Sequence, residues 1–274
     1  PCLDQSTRET IDLLREAVYS HFDKHGRDLP WRNTSDPYCV LVSEVMLQQT
    51  QVDRVVPKYV SFIQRFPDFA SLASASTSEV LREWQGLGYN RRALSLLRTA
   101  KAVMEDYGGV LPMDKTSLMK LPGIGGYSAS AIRAFAFDQP DAFIETNIRA
   151  VFIHHFFPAV ERVADAQLLP FVEAAIDRDN PRRWYQALMD YGVMLKQQDN
   201  ASRRSAHHRP QSRFQGSRRQ ARGEILRVLL ERRTLPPDGL RSAITSWDGR
   251  YEDALDAMLR EGVVTERAGE YGLD

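Results

Sequence analysis

The sequence predicts an all-α protein, and three observations lead to this fold class. Apolar side chains recur at helical spacing through most of the chain, beginning with the stripe of Ile11, Leu14, Val18 and Phe22. Alternating apolar and polar residues, which would indicate strands, are almost absent before the C-terminal residues. Glycine and proline interrupt the helical segments repeatedly. With 274 residues, the chain can form one large domain or two to three smaller ones.

The first elements are a helix over residues 6–25, a break with the sequence LPWR at residues 29–32, and a mostly apolar helix over residues 39–49. This last helix carries Glu44 in its middle. A carboxylate there is costly unless it is hydrogen-bonded, paired or facing a cleft. Further along, residues 76–79 have the capping-box pattern that starts a helix.

A glycine loop at residues 85–90 precedes a helix over residues 91–104, and a short helix then leads to the segment KLPGIGGYSASAI at residues 120–132. Proline and glycine break the helix, and small residues restart it. The pattern predicts a helix–turn–helix hairpin whose backbone N–H groups can bind a phosphate. The alternative is a purely structural turn.

Helical patterns continue to residue 195, after which the composition changes. Residues 196–233 contain eleven Lys or Arg against three acids, about +8 in a chain whose formal net charge is zero. Such a segment indicates a polyanionic partner or a solvated linker. Residues 217–274 have the pattern of three helices followed by alternation, which predicts a small winged-helix module with a two-stranded wing.

Composition also excludes some classes of site. The two cysteines, Cys2 and Cys39, lack ligand spacing, which excludes a disulfide framework and a cysteine-based zinc or iron–sulfur site. The pairs at residues 154–155 and 207–208 are interpreted as helix-surface and linker histidines. No apolar run reaches transmembrane length and no signal peptide is evident, so we expect a soluble, cytoplasmic protein.

Two carboxylates and a phenol are the candidates for chemistry: Glu44, Glu145 at a helix start, and Tyr127 directly after the glycine turn. Carboxylates that flank a glycosidic bond supply an acid for the leaving group and a charge for an oxocarbenium-like transition state. The same logic serves an N-glycosidic bond to a nucleobase. The alternatives are a structural Glu44, satisfied by Tyr127 or by backbone, and a Glu145 that pairs with Arg149.

The motifs LPWR, SEVMLQQTQV, EWQGLGYNRRA and LPGIGGYSASAI occur in this order over residues 28–195. Together they resemble the helix–hairpin–helix (HhH-GPD) DNA glycosylases, and within them the A/G-specific adenine DNA glycosylases. The resemblance implies two helical domains flanking a cleft for an extruded base. We expect the boundaries to be a six-helix domain over 31–137, a second helical domain over 1–30 and 138–200, a basic linker over 201–216 and the winged-helix-like module over 217–274.

The resemblance also implies roles for the site residues. Glu44 falls on the acid that protonates adenine and then helps to activate water. Glu145 stands where the family has a catalytic aspartate, and Asn147 matches an asparagine two residues beyond it. Tyr127 replaces the Schiff-base lysine of bifunctional relatives, which implies a monofunctional enzyme without β-lyase activity.

DNA contacts are implied in the same way. Gln49 and Tyr89 match residues that wedge into the duplex, as base extrusion requires. Gly123 and Gly125 would hold a DNA phosphate, and a monovalent cation could bind the backbone of Leu121 and Gly123. The remaining predicted DNA contacts are Gln48, Arg32 and Arg91. The alternative, that Gln48, Gln49 and Tyr89 are ordinary surface or packing residues, stays open.

The chain departs from the family in three ways. Glu145 replaces aspartate, which extends the carboxylate by about 1.5 Å. The four cysteines that relatives carry after a segment like residues 188–194 are missing, so we expect neither an iron–sulfur cluster nor another cofactor. The large domain that recognises 8-oxoguanine does not fit into residues 217–274.

We therefore expect a monomeric, nucleoid-associated enzyme of base excision repair that acts on mismatched double-stranded DNA. It would hydrolyse the N-glycosidic bond of adenine opposite 8-oxoguanine or guanine. One alternative keeps the mechanism but acts on thymine or uracil opposite guanine, or on a deaminated or alkylated purine. A second is a non-catalytic DNA-binding protein, and a third is a transcriptional regulator built around residues 217–274.

Overall fold

The computed structural model describes residues 4–208 and 213–273, and α-helices dominate this part of the chain. The helices are α1 (Gln5–His25), α2 (Pro37–Leu47), α3 (Val52–Arg65), α4 (Phe69–Ala73), α5 (Thr77–Trp84), α6 (Arg91–Asp106), α7 (Lys115–Leu118), α8 (Gly126–Phe137), α9 (Thr146–Phe156), α10 (Asp165–Ala175), α11 (Pro181–Gln198), α12 (Arg218–Arg232), α13 (Pro237–Ala243) and α14 (Gly249–Arg260). The strands are β1 (Thr234–Leu235), β2 (Thr265–Arg267) and β3 (Glu270–Gly272). The predicted fold class, helical with a small C-terminal sheet, is confirmed.

Several helices begin where a capping side chain stands in the sequence. Asp4 accepts a hydrogen bond from the Thr7 N–H at the start of α1. Ser76 and Glu79 form the predicted capping box at the start of α5. These contacts satisfy backbone donors that the first turn of a helix leaves unpaired. The local sequence therefore fixes these helix starts without tertiary contacts.

The chain divides into two compact units, and the boundary within α2 follows Glu44 directly. The first unit contains the described parts of Pro1–Glu44, Pro112–Lys120 and Ile124–Pro210. Its core is formed by α1, α8, α9, α10 and α11, and its largest fully buried side chains include Trp184, Tyr185 and Phe152. Helix α9 packs on α11, which sets the position of the α9 N-terminus.

The second unit contains Val45–Leu111, Leu121–Gly123 and the described parts of Gln211–Asp274. Its N-terminal part is built on α3–α6 around the buried side chains of Phe62 and Trp84. Its C-terminal part covers the segment predicted to form the winged-helix-like module, and α12 packs there on α14. The sheet has three antiparallel strands in the order β1-β3-β2, not two. Strand β1 was missed because two residues are too few to show alternation.

The hairpin connects α7 to α8 as the sequence predicted. Gly123 has φ +79°, and a Cβ there would lie 2.7 Å from the Ser95 Cβ, so glycine is required both by backbone conformation and by space. The Thr99 Oγ1 donates to the Pro122 carbonyl at 2.9 Å and anchors the turn. Gly125 is the N-cap of α8.

The segment predicted as a basic linker, residues 201–216, is in part a packed element. Residues Ala201–Arg204 form a 3₁₀ turn that packs on α9, and Ala201 is buried. The Arg204 guanidinium donates to the carbonyls of Phe157, Pro158 and Val160. Arg204 therefore stabilises the first unit, which the charge pattern alone did not reveal. Residues 209–212 of the predicted linker lie outside the described residues.

Among the residues described, none of the helices combines the length and the apolarity that crossing a bilayer requires.

Candidate active site

Glu44 is buried in the least polar helix of the first half of the chain. Helix α2 has the sequence PYCVLVSEVML, and Glu44 is 8% exposed among the buried side chains of Leu41 and Val45. Burial and then the negative charge of Glu145 raise the pKa of the Glu44 carboxyl to about 8. No hydrogen bond from the described residues offsets these two causes, so Glu44 holds a proton at neutral pH.

Glu145 caps the N-terminus of α9. Its Oε1 accepts hydrogen bonds from the backbone N–H groups of Asn147 at 2.6 Å and Ile148 at 2.9 Å. The Asn147 Nδ2 donates to its Oε2 at 3.2 Å. Burial raises the pKa of Glu145, whereas the two backbone N–H groups and the positive charges of Lys196 and Arg149 lower it. The carboxylate is thus buried but solvated by the protein.

The alternative that Glu145 pairs directly with Arg149 is wrong. The Arg149 guanidinium binds both oxygens of Asp165, at 2.7 and 2.8 Å. Arg149 acts on Glu145 only through its charge. The hydrogen-bond partners of Glu145 come instead from the first turn of its own helix.

Tyr127 lies in the first turn of α8 and is held by aromatic contacts. Its ring packs edge-to-face on Phe143 with 5.7 Å between centroids, and Phe143 stacks on Tyr185 at 4.0 Å. Burial, then the charges of Glu44 and Glu145, raise the pKa of the Tyr127 phenol well above its usual value. The residue as a whole nevertheless keeps 38% of its surface exposed. Tyr127 is therefore a neutral side chain that is held by aromatic contacts near both carboxyl groups.

The structure thus brings Glu44, Glu145, Tyr127 and Asn147 together in the first unit. The two carboxyl groups differ in environment, because among the described residues only Glu145 receives hydrogen bonds that favour the anion. One neutral acid and one anion side by side can donate a proton to a leaving group and stabilise a developing cation.

Asn147 also shows why the helices approach closely here. A Cβ at Gly192 of α11 would lie 2.5 Å from the Asn147 carbonyl oxygen and 2.8 Å from its Cβ. Glycine at this position therefore allows α9 and α11 to pack with their backbones in contact. The sequence analysis did not identify Gly192, since an isolated helical glycine gives no signal of its partner.

The predicted hairpin residues have a backbone suited to anions and cations. Gly123 and Gly125 expose the turn before α8, where N–H groups of a helix N-terminus converge. Among the described residues, no backbone N–H group donates to the carbonyl oxygens of Leu121 and Gly123. Carbonyl oxygens without a donor are ligands that a hard cation accepts. The turn therefore fits the monovalent cation that the resemblance implied.

Four of the other predicted DNA contacts lie in the second unit, in or next to two loops. Gln48 and Gln49 follow α2, and Tyr89 and Arg91 lie where α6 begins. Gln49 and Tyr89 both have positive φ, +56° and +48°. Tyr89 is 36% exposed and Arg91 is exposed, so both can reach a ligand. The sequence analysis did not identify Arg92, which contacts both loops.

Arg32, also predicted to contact DNA, is buried in an ion pair. Its guanidinium binds both oxygens of Asp190, at 2.7 and 2.8 Å, and its side chain is 8% exposed. The Arg27 side chain binds the same carboxylate. Arg32 is therefore occupied by Asp190 within the first unit, which argues against the predicted DNA contact. Its partner lies 158 residues away, beyond the reach of local pattern.

The paired histidines form no metal site in the described part of the chain, where no group of three or more His, Cys, Asp or Glu could hold an ion. The His155 Nε2 lies 3.3 Å from the Tyr191 hydroxyl, and burial lowers the pKa of His155 to about 4. His155 is therefore a neutral, partly buried side chain rather than a fully exposed one.

The chain is similar to curated proteins that are named adenine DNA glycosylase. The chain is 34% identical over 270 residues to the adenine DNA glycosylase of Mycolicibacterium smegmatis, covering 92% of each protein. It is 35% identical to the adenine DNA glycosylases of Buchnera aphidicola and of Mus musculus, over 65% and 68% of this chain. It spans only 50% and 38% of the length of those two relatives.

Solved structures show the same architecture. A thermostable thymine-DNA glycosylase matches with a TM-score of 0.63 and 26% identity, over 69% of this chain and 89% of that one. A trapped endonuclease III–DNA covalent intermediate matches with a TM-score of 0.57 and 16% identity, over 69% and 85%, which supports the fold alone. Residues 42–178 match the HhH-GPD superfamily of base excision DNA repair proteins. With that match and a 34% identical relative over nearly the whole chain, the protein belongs to the HhH-GPD superfamily.

Proposed function

We propose that the protein is a monofunctional adenine DNA glycosylase of base excision repair. It hydrolyses the N-glycosidic bond of adenine opposite 8-oxoguanine or guanine in double-stranded DNA and leaves an abasic site. The observation that carries this proposal is a pair of carboxyls in different environments, Glu44 with a pKa raised to about 8 and Glu145 with hydrogen bonds that favour its anion. The name shared by the bacterial and mammalian relatives supports adenine as the base.

The reaction begins with a proton. Glu44 donates it to a ring nitrogen of the extruded adenine, and the electron pair of the breaking C1′–N bond passes to the base, which leaves neutral. The deoxyribose cation that forms is stabilised by the negative charge of Glu145. A water molecule then attacks C1′ and gives its proton to the Glu44 carboxylate, which restores the acid.

Tyr127 is the reason why we propose no lyase step. A phenol cannot form the Schiff base that a lysine amine forms with the deoxyribose aldehyde. The pKa of Tyr127 is raised, so its hydroxyl stays protonated and does not compete with water as a nucleophile. We propose that strand cleavage at the abasic site is left to alkali in the assay and to another enzyme in repair.

No iron–sulfur cluster takes part in this proposal. Such clusters are held by four cysteine thiolates, and the chain has two cysteines, Cys2 and Cys39. The segment after α11 is held instead by Arg204 and by the backbone pairing of Val163 with Ser205. A monovalent cation at Leu121 and Gly123 would neutralise one phosphate of the bound strand.

A second substrate is favoured by one observation. The thymine-DNA glycosylase structure is similar at 26% identity. Thymine or uracil opposite guanine is therefore the alternative, with the same two carboxyls in the same roles.

The test is base release from labelled duplexes that carry A opposite 8-oxoguanine, A opposite G, T or U opposite G, hypoxanthine or an alkylated purine. Adenine release that is visible only after alkali, and that falls about 10³-fold in Glu44→Gln, supports the proposal. The matched control is Glu105→Gln, which changes an exposed glutamate of α6.

Each other outcome has a defined meaning. Release of thymine, uracil or a modified purine but not of adenine keeps the mechanism and replaces the substrate. Strand cleavage without alkali overturns the monofunctional assignment. Tight duplex binding without release of any base overturns the enzyme proposal in favour of a DNA-binding protein.

A further inference from the structure

Two loops of the second unit carry the residues that we assign to the DNA wedge. The first loop is residues 48–51, between α2 and α3, and the second loop is residues 85–90, between α5 and α6. Gln49 in the first loop and Tyr89 in the second are both in the left-handed region, with φ +56° and +48°. Residues other than glycine adopt this conformation only at an energetic cost, so the surrounding structure must hold it.

A single side chain connects the two loops. The Arg92 Nη2 donates to the Thr50 Oγ1 of the first loop at 2.9 Å and to the carbonyl oxygens of Leu87 and Gly88 in the second loop at 3.3 and 3.1 Å. Its Nη1 donates to the Gln48 carbonyl oxygen of the first loop. One guanidinium therefore binds acceptors on both sides of the gap between the loops.

The same Nη1 also donates to the end of α2. The carbonyl oxygens of Val45 and Met46 accept from it at 2.8 and 3.0 Å. These carbonyls lie in the last turn of α2, where no intrahelical donor is available and the helix dipole favours a positive charge. The guanidinium suits this task because its two terminal nitrogens offer four N–H donors in one rigid plane, whereas an ammonium offers three.

Arg92 lies between two aromatic rings. Its Cζ is 5.5 Å from the centroid of Trp84 and 5.4 Å from that of Tyr89, within cation–π distance. Burial lowers the pKa of Arg92 to about 10, so the guanidinium stays charged at neutral pH. The acceptors that it contacts in this part-buried position include backbone carbonyl oxygens. The Trp84 Nε1 donates to the Gly88 carbonyl oxygen at 3.0 Å and holds the second loop from beneath.

We infer that Arg92 is a positioning residue that holds Gln49 and Tyr89 in their left-handed conformations, so that the two loops enter the duplex as one rigid wedge. This inference rests on the proposed function, since the wedge is needed to extrude a base. Arg92 itself contacts no reacting atom. Its contribution is to base extrusion, which precedes the proton transfer from Glu44.

The experiment uses the full chain and a duplex with 2-aminopurine beside the target adenine opposite 8-oxoguanine, because 2-aminopurine fluorescence rises when the base unstacks. The variant is Arg92→Lys, and the control is Arg98→Lys, an exposed arginine of the same helix. We expect duplex affinity within about threefold of the wild type, no fluorescence rise, and a single-turnover rate at least about tenfold lower, since small errors in position are costly.

A second substrate distinguishes a loss of loop positioning from a general loss of activity in the variant. When the target adenine is placed in an unpaired bubble, extrusion needs no wedge, and the rate of Arg92→Lys should return to within about threefold of the wild type. Glu44→Gln should stay inactive on both substrates. A rate defect of Arg92→Lys that is equal on duplex and bubble overturns the inference.

Thr50→Val provides a second variant in case Arg92→Lys does not fold. It removes one acceptor of the guanidinium and keeps the β-branched shape, and we expect a fluorescence rise about threefold smaller than in the wild type. A wild-type rise in the variant, or no rise in the wild-type enzyme itself, overturns the inference. A normal rise without release of adenine contradicts only the proposed function.

Discussion

The environments of Glu44 and Glu145 differ in their hydrogen bonds, although burial raises the pKa of both carboxyls. Two backbone N–H groups at the start of α9 donate to Glu145, and the charges of Lys196 and Arg149 also favour its anion. Glu44 has only burial and the charge of Glu145, and both favour its protonated form. Assigning the proton to Glu44 therefore follows from the environment of each carboxyl.

The rate of base release should depend on pH through these two groups. Glu44 must be protonated, and its pKa is raised to about 8, so the single-turnover rate should fall about tenfold per pH unit above pH 8. Glu145 must be ionised and its pKa is also raised, so the acidic limb should lie above pH 4.5. The measurement is the single-turnover rate between pH 5 and pH 10.

Glu145→Gln tests the coupling between the two carboxyls. Glutamine can still accept from the N–H groups of α9, but it removes the charge that raises the pKa of Glu44. The alkaline limb of the residual activity should therefore move to lower pH, and the rate at pH 7 should fall about 10²-fold or more. An alkaline limb that stays in place would mean that Glu145 does not act on Glu44.

At the scale of single elements, the site depends on how closely α9 approaches α11. Gly192→Ala would place a Cβ 2.5 Å from the Asn147 carbonyl oxygen, which forces the two helices apart. We expect a loss of about 2–4 kcal/mol in the free energy of unfolding, together with slower base release, because α9 carries Glu145. The measurement is urea unfolding followed by single-turnover kinetics.

Gly223→Ala is the matched control for this prediction. Gly223 lies in α12, and a Cβ there would meet no atom within 4 Å. Alanine favours the helix, so the variant should be as stable as the wild type or up to about 1 kcal/mol more stable. Equal effects of the two substitutions would show that Gly192 is not needed for close packing.

The elements that could be predicted from the sequence are those specified by short-range pattern. The capping box at residues 76–79 and the glycine turn at residues 121–125 depend on neighbours in the chain, and the structure has both. Glu44 was identifiable because a carboxylate stood alone in an apolar helix. Their catalytic roles remain predictions.

The residues that could not be predicted act through distant partners. Arg32 binds Asp190, 158 residues away, and was assigned to DNA because an exposed and a buried arginine look the same in a sequence. Arg92 contacts carbonyl oxygens of residues 45–48, which carry no side-chain signal at all. Backbone acceptors and close helix contacts are properties of the packed chain, so local periodicity does not report them.

At the scale of the whole molecule, four basic residues of segment 196–233 have partners within the protein. Arg204 binds backbone carbonyls, and Arg222 pairs with Glu261 at 2.5 Å. The exposed side chains of Arg218 and Arg227 pair with Asp253 and Glu231. The local charge of about +8 is therefore partly compensated within the protein, and the module must be judged from its own exposed charges.

Helix α14 is the third helix of the module, and its exposed residues carry no net positive charge. Its apolar face is buried through Ala254, Leu255 and Met258. The exposed charged residues are Asp253 and Asp256 together with Arg250 and Arg260. A helix that enters a groove lies between phosphates, and carboxylates there are repelled.

We therefore expect that α14 does not enter DNA. The double substitution Asp253→Asn with Asp256→Asn should leave the duplex affinity within about twofold and the slope of log affinity against log salt unchanged, because no phosphate lies near enough to sense the two charges. Arg91→Ala, which removes a predicted phosphate contact, should reduce that slope by about 0.9. Affinity that rises tenfold or more in the double variant, with a changed slope, would place α14 beside the duplex and make the module part of the DNA-binding surface.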